Sequence, residues 1–366
     1  MILKSTLLAV CFFFTFVGYS ASAKKNPKTI VSIKGEKFLI NNTPTYKGLS
    51  WQGHTIEGLL MNSRMVQGIF DDQNPKTLPL WKYPDTGKWD ADRNTDEFIK
   101  AMDEWYAKGL LAFTLNLQGG SPTGYNNCGC INSAIDSKGE LRKDYMARLE
   151  KILNRANEKG MIVILGIYYF GQDEFIENEA ALIKGVDNTI DWLFEKKYRN
   201  ILIEVNNETN PAYHHDILKP TRIHELIERV KSKNEYGYRF LVGTSYGGNF
   251  IPQENVVSVS DFILIHGNGV GNPTRIAEMV KQTKAVKGFK PMPILFNEDD
   301  HFDFDKPENN FVEAIKAYAS WGYFDYRMKG EGFENGYQSV PVNWSISSPR
   351  KIAFFNKLEE ITGGLK

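Results

Sequence analysis

Eight short apolar runs of strand length recur along this 366-residue chain, and the stretches between them carry helical signals. The runs cover residues 45–51, 110–118, 161–169, 200–208, 239–246, 261–268, 292–298 and 323–327. After the first, Asn94-Thr-Asp-Glu97 opens a segment that sets Phe98, Met102 and Trp105 on one helix face and stops at Gly109. Residues 141–159 likewise stop at Gly160, and residues 273–286 stop near Gly288, as helices do. Strand then helix, eight times over, predicts an α/β fold of the (β/α)8 TIM-barrel type. A doubly wound sheet is the alternative, but it usually carries fewer strands. Residues 31–33 and 38–40, joined across Gly35, read as a short N-terminal β-hairpin covering the barrel floor. The segment from Gln52 to Asn94 is too long for an ordinary connection inside a compact domain. Its His54, Arg64, Asp71, Asp72, Trp81, Tyr83 and Trp89 suggest a wall of the cleft, although each Trp could equally pack the loop onto the barrel.

The first 23 residues follow a different logic. Met-Ile-Leu-Lys4, an apolar run over residues 7–17 and Ala21-Ser-Ala23 before Lys24-Lys25 have the order of a secretory signal peptide cleaved after Ala23. Residues 24–366 then form a single catalytic domain, secreted or periplasmic. No later apolar run is long enough to span a bilayer, so membrane insertion is not expected. Lys plus Arg number 44 and Asp plus Glu number 44, a balance that argues against nucleic acid as partner. A neutral, aromatic-rich chain suits a neutral ligand such as carbohydrate. Cys128 and Cys130 are the only thiols beyond the leader. They could close a small disulfide loop, but without neighbouring His or Cys they make a poor zinc site, so no metal and no cofactor are expected.

Two glutamates close apolar runs about ninety positions apart: Glu208 ends Asn200-Ile-Leu-Ile-Glu-Val-Asn-Asn-Glu208, and Glu298 ends Met292-Pro-Ile-Leu-Phe-Asn-Glu298. In a parallel barrel all C-terminal strand ends meet on one rim, so acids this far apart in sequence can face each other across a cleft. Facing carboxylates are what glycoside cleavage requires, one to protonate the departing oxygen and one to attack the sugar. Period-two alternation places Glu204, Asn206 and Glu208 on one face, with Asn207 free to turn at the strand end and bond substrate.

The segment Glu204-Val-Asn-Asn-Glu208-Thr-Asn-Pro211 resembles the fourth-strand Asn-Glu signature of glycoside hydrolase clan A, the retaining (β/α)8 glycosidases that include cellulases and mannanases. The resemblance implies that Glu208 is the acid/base, that Glu298 is the nucleophile and that Asn207 contacts the sugar's 2-hydroxyl. It places His266 beside the nucleophile and Trp321, with Tyr323, near a Trp platform. Trp51, His54 and Tyr246 complete the expected substrate-binding set. The nucleophile strand departs from the best-known clan endings, since Glu298 is followed by Asp299 and Asp300. A strand end one or two residues later would make one of those the reacting acid.

The resulting expectation is a secreted retaining glycoside hydrolase acting on poly- or oligosaccharides. The alternatives are a non-catalytic carbohydrate-binding barrel, which would not need two carboxylates, and a polysaccharide lyase using His266 or Tyr246 as base. Gly267-Asn-Gly-Val-Gly271 lacks phosphate-loop spacing, and Ser245 lacks the Gly-x-Ser-x-Gly turn of a serine hydrolase.

Overall fold

A computed structural model describes residues 27–125 and 129–365; the leader expected over residues 1–23, and Cys128, lie outside them. The described chain opens with a three-stranded antiparallel sheet, β1 (Val31–Lys34), β2 (Lys37–Ile40) and β3 (Thr43–Pro44). A second small hairpin follows, β4 (Ser50–Trp51) with β5 (His54–Thr55). Strand and helix then alternate eight times: β6 (Asn62–Arg64), α1 (Ala91–Ala107), β7 (Ala112–Asn116), α2 (Lys143–Lys159), β8 (Ile162–Tyr169), α3 (Glu179–Glu195), β9 (Ile201–Asn207) and α4 (Ile223–Ser232). The second half continues with β10 (Leu241–Gly243), α5 (Glu254–Val257), β11 (Ile263–His266), α6 (Thr274–Lys284), β12 (Ile294–Glu298), α7 (Asn310–Lys316), β13 (Gly322–Tyr323) and α8 (Pro349–Thr362).

Parallel pairing runs from β13 through β6, β7, β8 and β9 to β10, and β11 pairs with β12. Backbone hydrogen bonds close the two groups into a barrel: Asp261 N donates to Val242 O at one seam and Phe296 N to Ser320 O at the other. Every residue of β8 and β9 is buried, as expected of strands with barrel interior on one face and helices on the other. Helix ends are fixed locally. Asp90, Asn178, Asn309 and Ser348 accept backbone N–H groups in the first turns of α1, α3, α7 and α8, each cap worth about 1 kcal/mol. Gly160 ends α2 at φ +83°, a conformation that a side chain resists.

The N-terminal sheet is the barrel floor. Val31 N donates to Arg199 O, just before β9, and the Phe38 ring lies 6.2 Å from Phe262, just before β11. The first barrel strand, however, is β6 and not the run at residues 45–51, which supplies β4 and the turns that precede it. Asn62-Ser-Arg64 has no apolar signature because its side chains serve other strands. Asn62 Nδ2 bonds Phe296 O and Trp321 O, Ser63 Oγ bonds Tyr323 O, and Arg64 meets Glu298.

At the opposite rim the loops after β6, β7 and β13 interlock. Gly120 O accepts from both Gln67 Nε2 and Gln338 Nε2, and Val340 N donates to Pro122 O. Phe70, Trp81, Cys130 and Val340 form a second small core there, with Trp89 packed against it. Trp81 and Trp89 therefore anchor the rim, donating to Asp72 and Asp71 respectively. Among the described residues no helix is long and apolar enough to cross a membrane.

Candidate active site

The barrel brings Glu208 and Glu298 together. Their carboxylate oxygens lie within 4.8 Å of each other, with His266 joining the group. His266 Nδ1 is 2.8 Å from Glu208 Oε1 and 3.6 Å from Glu298 Oε2. Glu298 is also gripped from two other sides: Asn268 Nδ2 donates to Oε1 at 2.6 Å, and Arg64 Nε lies 2.9 Å from Oε2. The Arg64 contact lacks hydrogen-bond alignment and is an ion pair between buried partners. Tyr169 and Phe324 flank the guanidinium at 6.0 and 5.8 Å, so aromatic faces hold a charge that the interior would otherwise reject.

Two backbone irregularities produce this aim. In the β11–β12 pair, Ile265 matches Phe296 but His266 matches Glu298, so Asn297 is an extra residue. Such a bulge re-aims the side chains beyond it, and here both Asn297 and Glu298 face buried polar groups instead of alternating. On β9 the expected face of Glu204, Asn206 and Glu208 is also broken. Asn206 is register partner to Tyr168, whose hydroxyl reaches Leu182 O in α3; Asn206 likewise reaches the connecting segment, donating to Leu218 O. Asn207 instead matches Tyr169, on the Arg64 side. Glu208 then turns at φ +52°, a left-handed conformation costly for a non-glycine residue, and its N–H donates to Ser245 Oγ at 2.9 Å.

Charge follows from this packing. Burial raises Glu298, and Glu208 adds to that, against the lowering effect of Arg64 and His266; the outcome is a carboxyl above its ordinary value. Burial also pushes Glu208 up, but the His266 hydrogen bond and charge, with Arg64, bring it below the usual range. Burial disfavours charge on His266, yet Glu298 and Glu208 outweigh it and raise the imidazole. The downward shift of Glu208 and the upward shift of His266 thus share a source, the short hydrogen bond between them.

Several buried polar atoms around the pair have no hydrogen-bond partner among the described residues. They include Arg64 Nη1 and Nη2, both amide atoms of Asn207, Asn268 Oδ1 and His266 Nε2. Unsatisfied groups at this density are uncommon in a folded interior and fit a ligand rich in hydroxyls.

Of the other residues singled out by sequence, Trp51, His54 and Trp321 lie away from the pair. Trp51 and His54 pair across the β4–β5 hairpin, where Trp51 Nε1 donates to Glu360 in the last turn of α8, at the floor end. The apolar run that suggested a first strand leads into that hairpin, which is why both residues miss the cleft. Trp321 precedes β13 and faces the outer helices: it stacks on Phe311 at 4.7 Å and is wholly buried. It offers no platform to a sugar; Phe324, beyond the strand, is the aromatic beside Arg64. Tyr246 follows Ser245 and is buried, and its hydroxyl has no hydrogen-bond partner among the described residues. Asp299 is turned away from Glu208, engaged by Trp321 Nε1, Asn310 Nδ2 and His301. Asp300 is held by Tyr125 and Gly269 N. Asn268, Glu204 and Ser245 carry no motif that marks them as supports of the pair, since each is placed by barrel closure; Arg64 is expected from sequence only in a wall of the cleft, not against Glu298.

Two triads set ligand atoms within 4.8 Å of one another, Glu208 with His266 and Glu298, and Asp299 with Asp300 and His301. In the first, a cation would have to share Glu298 with Arg64; in the second, Asp299 already accepts from Trp321 and Asn310.

No protein-family model and no functionally curated protein matches this sequence. Solved structures match its fold. A glycoside hydrolase family 5 protein from Bacteroides vulgatus aligns with TM-score 0.55 and 13% identity over 91% of this chain and 72% of its own. A family 5 mannosidase from Rhizomucor miehei gives 0.55 and 11% over 93% and 99%. A β-glucosidase from Thermotoga maritima gives 0.54 and 13% over 86% and 100%. Likeness at this identity is likeness of fold, and the fold of this chain is the (β/α)8 barrel of those glycosidases.

Proposed function

We propose that this protein is an exported retaining glycoside hydrolase of the clan A type, acting on poly- or oligosaccharides. The observation that carries the reading is the spacing of the two carboxylates. One oxygen of Glu208 lies within 4.8 Å of one oxygen of Glu298, which supports the close pair of double displacement, about 5 Å apart, over the wider pair of about 6.5–9.5 Å that inversion uses. Glycosidase neighbours of the same fold support the reaction class, and the leader-like residues 1–23 support export.

In the first step Glu298 attacks the anomeric carbon while Glu208 protonates the glycosidic oxygen, so the glycosyl group passes to the Glu298 carboxylate and the leaving alcohol departs neutral. Arg64 and Asn268 favour the charged form of Glu298 against burial and aim it. The proton that Glu208 delivers is shared with His266 across their 2.8 Å hydrogen bond. In the second step Glu208 takes a proton from water, whose oxygen displaces Glu298 from the anomeric carbon.

Glu208→Ala tests the assignment. General acid catalysis contributes about 10²–10⁴-fold and matters less when the leaving group departs easily as an anion. The variant should lose most activity on natural glycans, retain much of the first step on an activated aryl glycoside, and regain turnover with azide. Equal loss on both substrates without azide rescue, in a protein with native circular dichroism, would remove Glu208 from this role.

A further inference from the structure

Beneath the reacting pair lies a third carboxylate that the mechanism does not use. Glu204 is wholly buried on β9, and its Oε1 accepts from Ser245 Oγ at 2.6 Å and from Asn297 Nδ2 at 3.3 Å. Neither partner is incidental. Ser245 Oγ, whose only proton points to Glu204, accepts the N–H of Glu208 and so holds the residue whose backbone sits at φ +52°. Asn297 is the extra residue of the β12 bulge, immediately before Glu298.

We propose that Glu204 is a positioning residue, a buried clamp whose single oxygen fixes the two backbone distortions that aim Glu208 and Glu298 at each other. The physical need is clear. A left-handed glutamate is a strained conformation and a bulge interrupts its ladder, and both would relax toward regular strand if nothing opposed them. Relaxation at either end turns a carboxylate away from its partner. Tying both to one acceptor makes the spacing of the pair a property of one side chain, and the acceptor's position wholly inside the barrel keeps water from competing for it. Arg64 and His266 act electrostatically on Glu204 as well as on Glu298, so the clamp and the nucleophile share a charge environment.

The inference rests on the glycosidase reading for its meaning but not for its test, which reads geometry and rate separately. Crystal structures of the wild-type, Glu204→Ala, Glu204→Gln and Ser245→Ala proteins are compared first. Glu204→Ala should release Ser245, let Glu208 leave its left-handed conformation and widen the gap between the Glu208 and Glu298 oxygens. Ser245→Ala should disturb Glu208 while leaving Glu298 in place. On an aryl glycoside, kcat of Glu204→Ala should then fall about 10²-fold with KM nearly unchanged, the loss expected when reacting groups are misplaced by about 1 Å. Glu204→Gln keeps an acceptor oxygen for both donors and should recover most of that rate, which a residue acting only through its charge would not explain. Unchanged Glu208 backbone and carboxylate spacing in Glu204→Ala would overturn the clamp, as would a Gln variant as impaired as the Ala variant. If Glu204→Ala does not fold, Ser245→Ala and Glu204→Gln decide the matter by the same measurements. A wild-type protein that cleaves no glycoside would defeat the glycosidase reading alone, because the crystallographic comparison still tests the clamp.

Discussion

Replacing Arg64 by Met keeps much of the side chain's bulk and removes the charge that lies 2.9 Å from Glu298. Unit charges about 4 Å apart attract by about 4 kcal/mol at an effective dielectric near 20, and 1.36 kcal/mol corresponds to about one pH unit of acidity. Burial already holds Glu298 above its ordinary value of 4.5, and the Arg64 charge opposes burial more strongly than any other neighbour does. Loss of Arg64 should therefore move the acid limb of the kcat/KM profile upward by about two to three pH units. Stability should respond with a matching sign. A carboxyl raised in the folded state binds its proton more tightly there than in the unfolded chain, so both proteins lose stability as pH rises above about 4.5. The variant falls behind once pH passes the wild type's own raised value toward the variant's higher one. Below that window the two proteins should be nearly equal; above it the deficit should approach about 3–5 kcal/mol, the cost of orphaning a buried charge. The assays are a pH–rate profile on an aryl glycoside and urea unfolding at pH 4 and pH 7. An acid limb unmoved from wild type, together with a stability loss independent of pH, would show that Arg64 acts through packing alone.

Three further outcomes are expected. A 2-fluoro glycoside inactivator should leave its label on Glu298, read by peptide mapping; a label on Asp299 or Asp300 contradicts the bonding that turns those residues away from Glu208. His266→Gln should move the basic limb of the kcat/KM profile to lower pH, because the proton now stored on an imidazole raised above 6.5 would be held by Glu208 alone; a limb that stays in place would separate His266 from the proton reservoir. Trp51→Ala should change KM by less than about twofold on any oligosaccharide, since ground-state binding is lost only where a side chain touches substrate, whereas a large rise in KM would bring the floor hairpin into the site.

The barrel was legible because its middle strands are continuous apolar runs. Residues 110–118, 161–169 and 200–208 each enclose an observed strand, β7, β8 and β9, and the helices between them, α2 and α3, carry their own end signals. Burial on both faces writes such strands plainly into a sequence. The first strand was missed for the opposite reason: Asn62-Ser-Arg64 is short and polar, and the more apolar stretch upstream of it formed the floor hairpin instead. The polar character and the function have one cause, since Asn62 and Ser63 tie the barrel shut beside the site while Arg64 charges it.

Strand-end position alone brought Glu208 and Glu298 forward, yet alternation set Asn206 on the Glu208 face, where the structure sends it to Leu218 O. Period two holds only while each residue continues the ladder; the β11–β12 register shifts at His266, and Glu208 leaves β9 at φ +52°. The shift lets Asn297 and Glu298 both meet buried polar groups, while on β9 Asn206 bonds Leu218 O and Asn207 lies on the Arg64 side. Neither irregularity has a local signature such as glycine, because each is held from a distance, by Ser245 beyond the next strand and by Glu204 in the interior. Following alternation along the sequence therefore reaches the two acids that the barrel brings together, but not the residues that hold them. The supports become readable only once the barrel closes and three separate chain segments meet at one buried oxygen.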